Sequence, residues 1–152
     1  MGDNKGIPGE QIYEYVLKIT RVAEYGFPAE ALLSGRMPPP PEGARFDVYF
    51  DGVISGKMNG AVQGVDYVHI RADGRSQLDI HAEITTNDGK KIALAAGGVG
   101  MLERGTPIVH LRENVALITH HAEHAWLNTT QVWAMGTADF GKGEIRVKGY
   151  AS

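Results

Sequence analysis

The chain has 152 residues, 43% of them hydrophobic and 22% charged, and its 15 Lys and Arg against 18 Asp and Glu give a net charge of −3. These proportions exclude a disordered chain, a coiled coil and collagen, and they predict one globular domain spanning residues 1–152. The chain has no cysteine, which excludes disulfides, thiolate metal sites and thiol nucleophiles.

The cations are scattered singly along the chain, which argues against a nucleic acid or a membrane as partner, because phosphate binding needs clustered positive charge. Residues 1–10 have no apolar stretch of the kind found in a signal peptide, and we expect them to be a flexible N-terminus. No stretch approaches the roughly 20 apolar residues of a spanning helix. A cytoplasmic location is therefore expected.

The 20 glycines fall between short apolar segments, a pattern that is typical of many strands joined by turns. The first predicted strand runs from Gln11 to Ile19, with its aromatic and aliphatic residues alternating on one face. Residues 23–44 are predicted to form a Pro-rich loop with one or two helical turns. The run Pro38 to Pro41 cannot lie inside a sheet or a helix, so this loop is extended and long enough to act as a lid.

The segment from Arg45 onward alternates as a strand and then meets glycines at positions 52, 56, 60 and 64, which predicts a tightly coiled strand of the kind found at barrel corners. Three further strands are predicted over residues 65–71, 77–86 and 90–97. The pairs Asp73-Gly74 and Asp88-Gly89 between them are hairpin signals, since glycine adopts positive φ without steric cost.

Later strands are predicted over residues 108–111, 115–121, 125–137 and 144–150. The total is eight to ten short strands with almost no helical periodicity. Closure of such an antiparallel meander removes unpaired edges, so the sequence predicts an all-β closed antiparallel barrel, lipocalin-like in general shape. A two-sheet sandwich is the alternative. A barrel of about eight strands is either filled by side chains or wide enough for one small ligand.

The segment Leu78 to Thr85 offers the clearest chemistry. Its even-numbered residues are apolar, which places Asp79, His81 and Glu83 together on the opposite face of the strand. In one interpretation this polar face is wetted by solvent. In the other it lines a cavity, where a histidine between two carboxylates has a raised pKa suited to acid–base catalysis. The spacing alone does not choose between them.

Further polar and aromatic residues are candidates for substrate binding. Trp126 and Asn128 share one face of the predicted strand 125–137, and a wall with an indole and an amide can orient a small polar-headed ligand. The other candidates are Asp66, Tyr67, Tyr49 and His121, and Tyr15 and Phe50 are candidate walls of the same site. The cluster of His120, His121 and His124 around Glu123 has no recognised ligand spacing, and we expect no metal.

The glycine-punctuated segment from Gly52 to Gly98 and the segment around Trp126 resemble a bacterial family known as domain-of-unknown-function family 3237. The residues that carry the resemblance are Gly64-Val-Asp66-Tyr67, Arg71-Ala-Asp73-Gly74, Leu78-Asp79 through Asp88-Gly89, and His124-Ala-Trp126-Leu127-Asn128. The resemblance implies a closed antiparallel barrel and brings no established reaction with it. His81, Glu83 and His124 depart from the residues that are usual in that family.

The leading functional hypothesis is a barrel that binds one small, partly apolar, oxygen-bearing metabolite and transfers a proton on it, as a cofactor-independent lyase, dehydratase or isomerase does. His81 is then the acid or base, Asp79 and Glu83 set its charge, and Asn128 with Trp126 or Tyr67 holds the substrate oxygen. One alternative is a carrier that binds a ligand without transforming it. Another is a structural protein that forms a homo-oligomer, and a homodimer is compatible with all three.

Overall fold

The computed structural model describes residues 9–151, so most of the predicted flexible N-terminus lies outside the described residues. Eight antiparallel strands in sequence order form a closed barrel, which confirms the predicted fold and rules out the sandwich. The elements are β1 Glu10–Glu24, α1 Ala29–Leu33, β2 Ala44–Gly56, β3 Gly60–Ile70, β4 Ser76–Thr86, β5 Lys91–Leu102, β6 Ile108–Ile118, a 3₁₀ helix Ala122–Thr129, β7 Val132–Asp139 and β8 Glu144–Ala151.

Strand β1 closes the barrel because it pairs with β2 along one edge and with β8 along the other. The hairpin turns between β3 and β4 and between β4 and β5 lie where the Asp-Gly pairs predict them, and Gly74 and Gly89 adopt φ of 91° and 88°. The glycines at 52, 56, 60 and 64 lie in two strands, β2 and β3, and not in the single coiled strand predicted. A Cβ atom at Gly52 would overlap the backbone of β1, and one at Gly64 would overlap the backbone of β4, so only glycine permits these close approaches.

Three of the predicted strands have the wrong extent. The segment predicted as a strand over residues 125–137 is a 3₁₀ helix followed by β7. The strands predicted over residues 108–111 and 115–121 form one continuous strand, β6, which ends at Ile118. The continuity of β6 matters for the site because it gives residue 113 a fixed direction, toward the barrel interior.

The two ends of the barrel are packed differently. At the end that carries the 3₁₀ helix, buried apolar side chains fill the interior; they include Ile12, Met58, Ile84, Ile92, Leu117, Leu127 and Val132. At the opposite end lie the β1–β2, β3–β4, β5–β6 and β7–β8 connections, and there the interior is hollow. We call these the closed end and the mouth. None of the helical segments within residues 9–151 is long and apolar enough to cross a bilayer.

Candidate functional site

A cavity of about 850 Å³ occupies the mouth half of the barrel. Most of its walls are aliphatic and aromatic side chains from all eight strands, and β7 and β8 contribute one residue each, Ala138 and Ile145. The long β1–β2 connection covers the mouth with Leu32 and Leu33 of α1 and with Met37, Pro38 and Pro39 of the Pro-rich segment. A mostly apolar, sheltered cavity with a few polar groups is the usual form of a small-molecule site.

Two carboxyl groups enter this cavity from opposite parts of its wall, Asp66 from β3 and Glu113 from β6. Both are buried, with exposed fractions of 9% for Asp66 and 4% for Glu113. Each occupies an inward position of its strand, where the neighbouring inward residues are apolar. The strand alternation that buries those neighbours therefore buries the carboxyl groups as well.

Glu113 has the more unusual surroundings. Neither of its carboxyl oxygens, nor the hydroxyl of Tyr13, has a hydrogen-bond partner of good geometry among the described residues. Burial, and then the nearby charge of Asp66, raises the pKa of Glu113 to about 8, and the adjacent Tyr15 hydroxyl opposes this shift. Glu113 is thus a carboxylic acid that holds its proton at neutral pH.

Asp66 is held more firmly because its Oδ1 accepts a hydrogen bond from the backbone N–H of Asp79 at 2.9 Å. The regular pairing of β3 with β4 stops after the Asp66–Ile80 pair and resumes at the His69–Gln77 pair, and this hydrogen bond lies at the gap between them. Burial raises the pKa of Asp66 to about 7, and the backbone hydrogen bond from Asp79 partly offsets that shift. The Asp66 carboxyl group is therefore poised between its two protonation states near neutral pH.

Two tyrosines complete the polar part of the interior. Tyr13 and Tyr15 stack with ring centroids 5.7 Å apart, and both are buried. Glu113 pairs with Ala134 of β7, Ala134 pairs with Gly149 of β8, and Gly149 pairs with Tyr13 of β1. A Cβ atom at Gly149 would overlap the Tyr13 ring. The small residues leave room for that ring. Burial, and then the charge of Glu113, raises the pKa of both phenols well above the ordinary value, so they remain neutral donors.

Of the two interpretations of the polar face of β4, the solvent-exposed one agrees with the structure, and the placement of Asp79, His81 and Glu83 in the cavity is wrong. They lie on the outer face of β4, where their side chains are 64%, 56% and 46% exposed. His81 Nε2 is 2.9 Å from Asp79 Oδ1, and Glu83 Oε1 is 3.0 Å from Lys91 Nζ. The physical reason is the hydrophobic effect, since the even-numbered residues of the strand are apolar and take the interior face.

Tyr67 and Tyr49 also lie on the outer surface, contrary to prediction. The guanidinium of Arg45 lies 5.0 Å from the centroid of the Tyr67 ring, and that of Arg21 lies 3.9 Å from the centroid of the Tyr49 ring. The neighbouring residues Phe46, Val48 and Phe50 of β2 occupy the interior instead. The period of two in β2 and β3 then directs both tyrosines outward.

Trp126, Asn128 and His121 lie in the β6–β7 connection at the closed end, away from the cavity, so their predicted place in a ligand-binding wall is also wrong. Asn128 Nδ2 donates to the Thr119 carbonyl and its Oδ1 accepts from the Thr119 N–H, both at 2.8 Å. Trp126 is 39% exposed, and the N–H of His121 donates to Thr119 Oγ1 at 3.2 Å. These contacts fix the connection to the barrel.

Among the residues predicted to bind substrate or to form the walls of its site, Asp66, Tyr15 and Phe50 line the cavity. Sequence reasoning missed Glu113 because it took residues 112–114 as a break between strands. A signal was present: in Val109, Leu111, Glu113, Val115 and Leu117 one ionisable residue interrupts an apolar alternation. Within residues 9–151, no group of three or more His, Asp or Glu side chains comes together as a metal site.

The whole barrel is similar to several solved structures. A protein of unknown function from Clostridium acetobutylicum superposes with a TM-score of 0.78 at 17% identity, over 95% of both chains. A β-barrel-like protein from Acinetobacter baumannii gives a TM-score of 0.72 at 18% identity, over 95% of this chain and 94% of that chain. An enzyme from Penicillium herquei gives 0.63 at 20% identity, over 94% and 93%. The fold is shared.

These identities are too low to carry a function from one barrel to another, because one fold hosts many chemistries. The chain matches no family model and no curated protein. The resemblance to domain-of-unknown-function family 3237 therefore stays a prediction. Function must be argued from the cavity itself.

Proposed function

We propose that the barrel is a cofactor-independent enzyme that transfers a proton on a small, partly apolar, oxygen-bearing metabolite in the mouth cavity, as a lyase, dehydratase or isomerase does. The observation that carries the proposal is Glu113, a buried carboxyl group with no good hydrogen-bond partner among the described residues. An unsatisfied buried polar group costs about 1–3 kcal/mol, so a chain that retains one has a use for it.

The two carboxyl groups support a division of roles. Glu113, with a pKa of about 8, is protonated at neutral pH and can donate to an oxygen of the ligand. Asp66, with a pKa of about 7, is largely ionised slightly above neutrality and can accept a proton from an adjacent carbon. Pairs of titratable groups with pKa values set apart by their surroundings are typical of acid–base sites. The neutral phenol of Tyr15, which lines the cavity, adds a donor that can hold the same oxygen.

The likeness to an enzyme from Penicillium herquei supports the proposal in one respect only, since a barrel of this shape can carry catalysis. A carrier would need the same apolar walls and could use Glu113 to hold a ligand oxygen, but it would not need a second buried carboxyl group with its pKa near neutrality. For this reason we favour the enzyme over the carrier.

Proton transfer can be tested without knowledge of the natural substrate. The purified protein is incubated in D₂O with apolar ketones such as 2-tetralone and 2-decanone, and deuterium uptake next to the carbonyl is followed by mass spectrometry. We expect catalysed exchange that is fastest between about pH 7 and 8, because Asp66 must be ionised while Glu113 is protonated. E113Q should slow it by about 10²- to 10⁴-fold.

The matched controls are E83Q and H81A, which alter exposed groups on the outer face of β4 and should leave the rate unchanged. Ketone binding without exchange would favour the carrier. Exchange that survives E113Q but is lost in H81A would overturn the assignment of the cavity as the active site.

A further inference from the structure

The rim of the cavity carries two arginines that the proton-transfer proposal does not use. Arg75 belongs to the β3–β4 turn and Arg104 to the β5–β6 connection, and both line the mouth. Within residues 9–151, neither guanidinium has a hydrogen-bond or ion-pair partner. Other arginines on the surface are paired, such as Arg36 with Glu30 and Arg146 with Glu144. The mouth thus presents two unneutralised positive charges above an apolar interior.

The acidic groups near the rim are occupied elsewhere. Asp73 also lines the mouth, but Arg71 Nη2 lies 2.5 Å from its Oδ2, and the Arg75 backbone N–H donates to its Oδ1. Glu103, next to Arg104 in the sequence, has its Oε1 2.8 Å from His110 Nε2. These pairings leave the guanidinium groups of Arg75 and Arg104 available to an anion.

We propose that the ligand is an apolar organic acid whose anionic group binds Arg75 and Arg104 at the mouth while its body enters the cavity toward Asp66 and Glu113. This inference rests on the proposed function in taking the mouth cavity as the ligand site. Guanidinium groups bind carboxylates, sulfonates and phosphates through paired hydrogen bonds. Asp66, once ionised, repels an anion inside the cavity, so the charge distribution favours entry of the apolar end of the ligand first.

Strand geometry sets the length of such a ligand. Met101, at the rim, pairs with His110, and Glu113 lies three residues further along β6, which is about 10 Å at 3.3–3.4 Å per residue. Ser76, next to Arg75, lies four residues along β4 from Ile80, the partner of Asp66, which is about 13 Å. The rim of the mouth and the two carboxyl groups are therefore about 10–13 Å apart along the strands, a distance that a medium-chain acid spans.

The test measures displacement of a neutral fluorescent probe, N-phenyl-1-naphthylamine, by decanoate and by 1-decanol, which share a chain length and differ in charge. We expect the wild-type protein to bind decanoate at least about tenfold more tightly than decanol, equivalent to about 1.4 kcal/mol. In R75Q/R104Q the ratio should fall to near one while the affinity for decanol is kept. The measured quantity is the ratio of the two affinities, so a change in the cavity that weakens both ligands equally leaves the ratio unchanged.

The matched control is R112Q/R146Q, which removes the same charge from arginines that do not line the cavity and should keep the preference for the acid. Equal binding of acid and alcohol by the wild-type protein would overturn the inference, as would failure of the wild-type protein to bind the probe. A preference for the acid that survives R75Q/R104Q, or that is lost to the same degree in R112Q/R146Q, would also overturn it. E113Q should retain the preference. Absence of ketone exchange in the wild-type protein, with its preference for the acid intact, would count against the proton-transfer proposal and not against this one.

Discussion

Glu113 shows how one residue can combine a folding cost with a chemical use. Its strand neighbours on the inner face are Leu111 and Val115, both buried, so its direction is set by their hydrophobic burial. An isolated ionised carboxylate in such a place is costly, and the group responds by keeping its proton. Acid chemistry at neutral pH follows from where the strand places the residue.

The raised pKa makes a prediction about stability. Between about pH 4.5 and 8 folded Glu113 keeps a proton that the unfolded chain has released, so the free energy of unfolding should fall as pH rises through this window. E113Q removes this contribution, and the wild-type protein should lose about 3–5 kcal/mol more stability than E113Q between pH 4.5 and 9. Urea denaturation at a series of pH values measures both curves.

Asp66 has a raised pKa in both proteins and contributes a decline of the same sign to each curve, so the difference between them reports on Glu113. E83Q serves as the control, because Glu83 is exposed on the outer wall and its pKa is lowered by Lys91. Parallel curves for the wild-type protein and E113Q would show that Glu113 ionises normally, and the proposed acid would be lost.

At the scale of elements, local sequence patterns predict where strands lie better than they predict which face of a strand turns toward the barrel interior. The alternation in β4 and the Asp-Gly turns were read correctly, because period-two burial and positive φ are properties of a few adjacent residues. Which face of β4 turns inward depends on its neighbours in the sheet. The apolar face of β4 is buried in the barrel interior, so His81 on the opposite face lies on the outer surface.

The 3₁₀ helix was mistaken for a strand for a related reason. Its sequence, Ala122 to Thr129, mixes alanine, histidine and tryptophan without a clear period, and its conformation depends on a distant contact. That contact is the pair of hydrogen bonds between Asn128 and the backbone of Thr119, while Leu127 fills the closed end of the barrel. A side chain that seemed suited to a ligand instead holds the connection in place.

The role of Asn128 is testable at this scale. N128A removes two hydrogen bonds and leaves the Thr119 N–H and carbonyl without them, so we expect a loss of about 1–3 kcal/mol in the free energy of unfolding. T129A is the matched control, because the exposed Thr129 hydroxyl makes only a 3.5 Å contact with the Trp126 carbonyl. Binding of N-phenyl-1-naphthylamine should be unchanged in both variants. Loss of probe binding in N128A but not in T129A would show that Asn128 contributes to ligand binding, contrary to this assignment.

The whole molecule is a closed barrel with a solid half and a hollow half, and only the closure could be predicted from sequence. The strand count and the glycine corners imply closure. Whether the interior is filled or hollow depends on the total volume of the side chains that eight strands direct into one cross-section of the barrel. No single segment of the sequence determines that total. The sequence therefore predicts a barrel that is either filled or holds one ligand, and it locates neither the cavity nor its two acids.

This division predicts opposite responses to added volume at two inward positions of one strand. Leu117 is buried in the packed half, where phenylalanine must displace its neighbours, so L117F should cost about 1–3 kcal/mol. Leu111 lines the cavity, so L111F should fill empty space with little loss of stability and should weaken the binding of N-phenyl-1-naphthylamine. Urea denaturation and probe titration measure the two effects. Equal destabilisation by both variants would mean that the mouth half is packed as tightly as the closed end, and a ligand site there would be untenable.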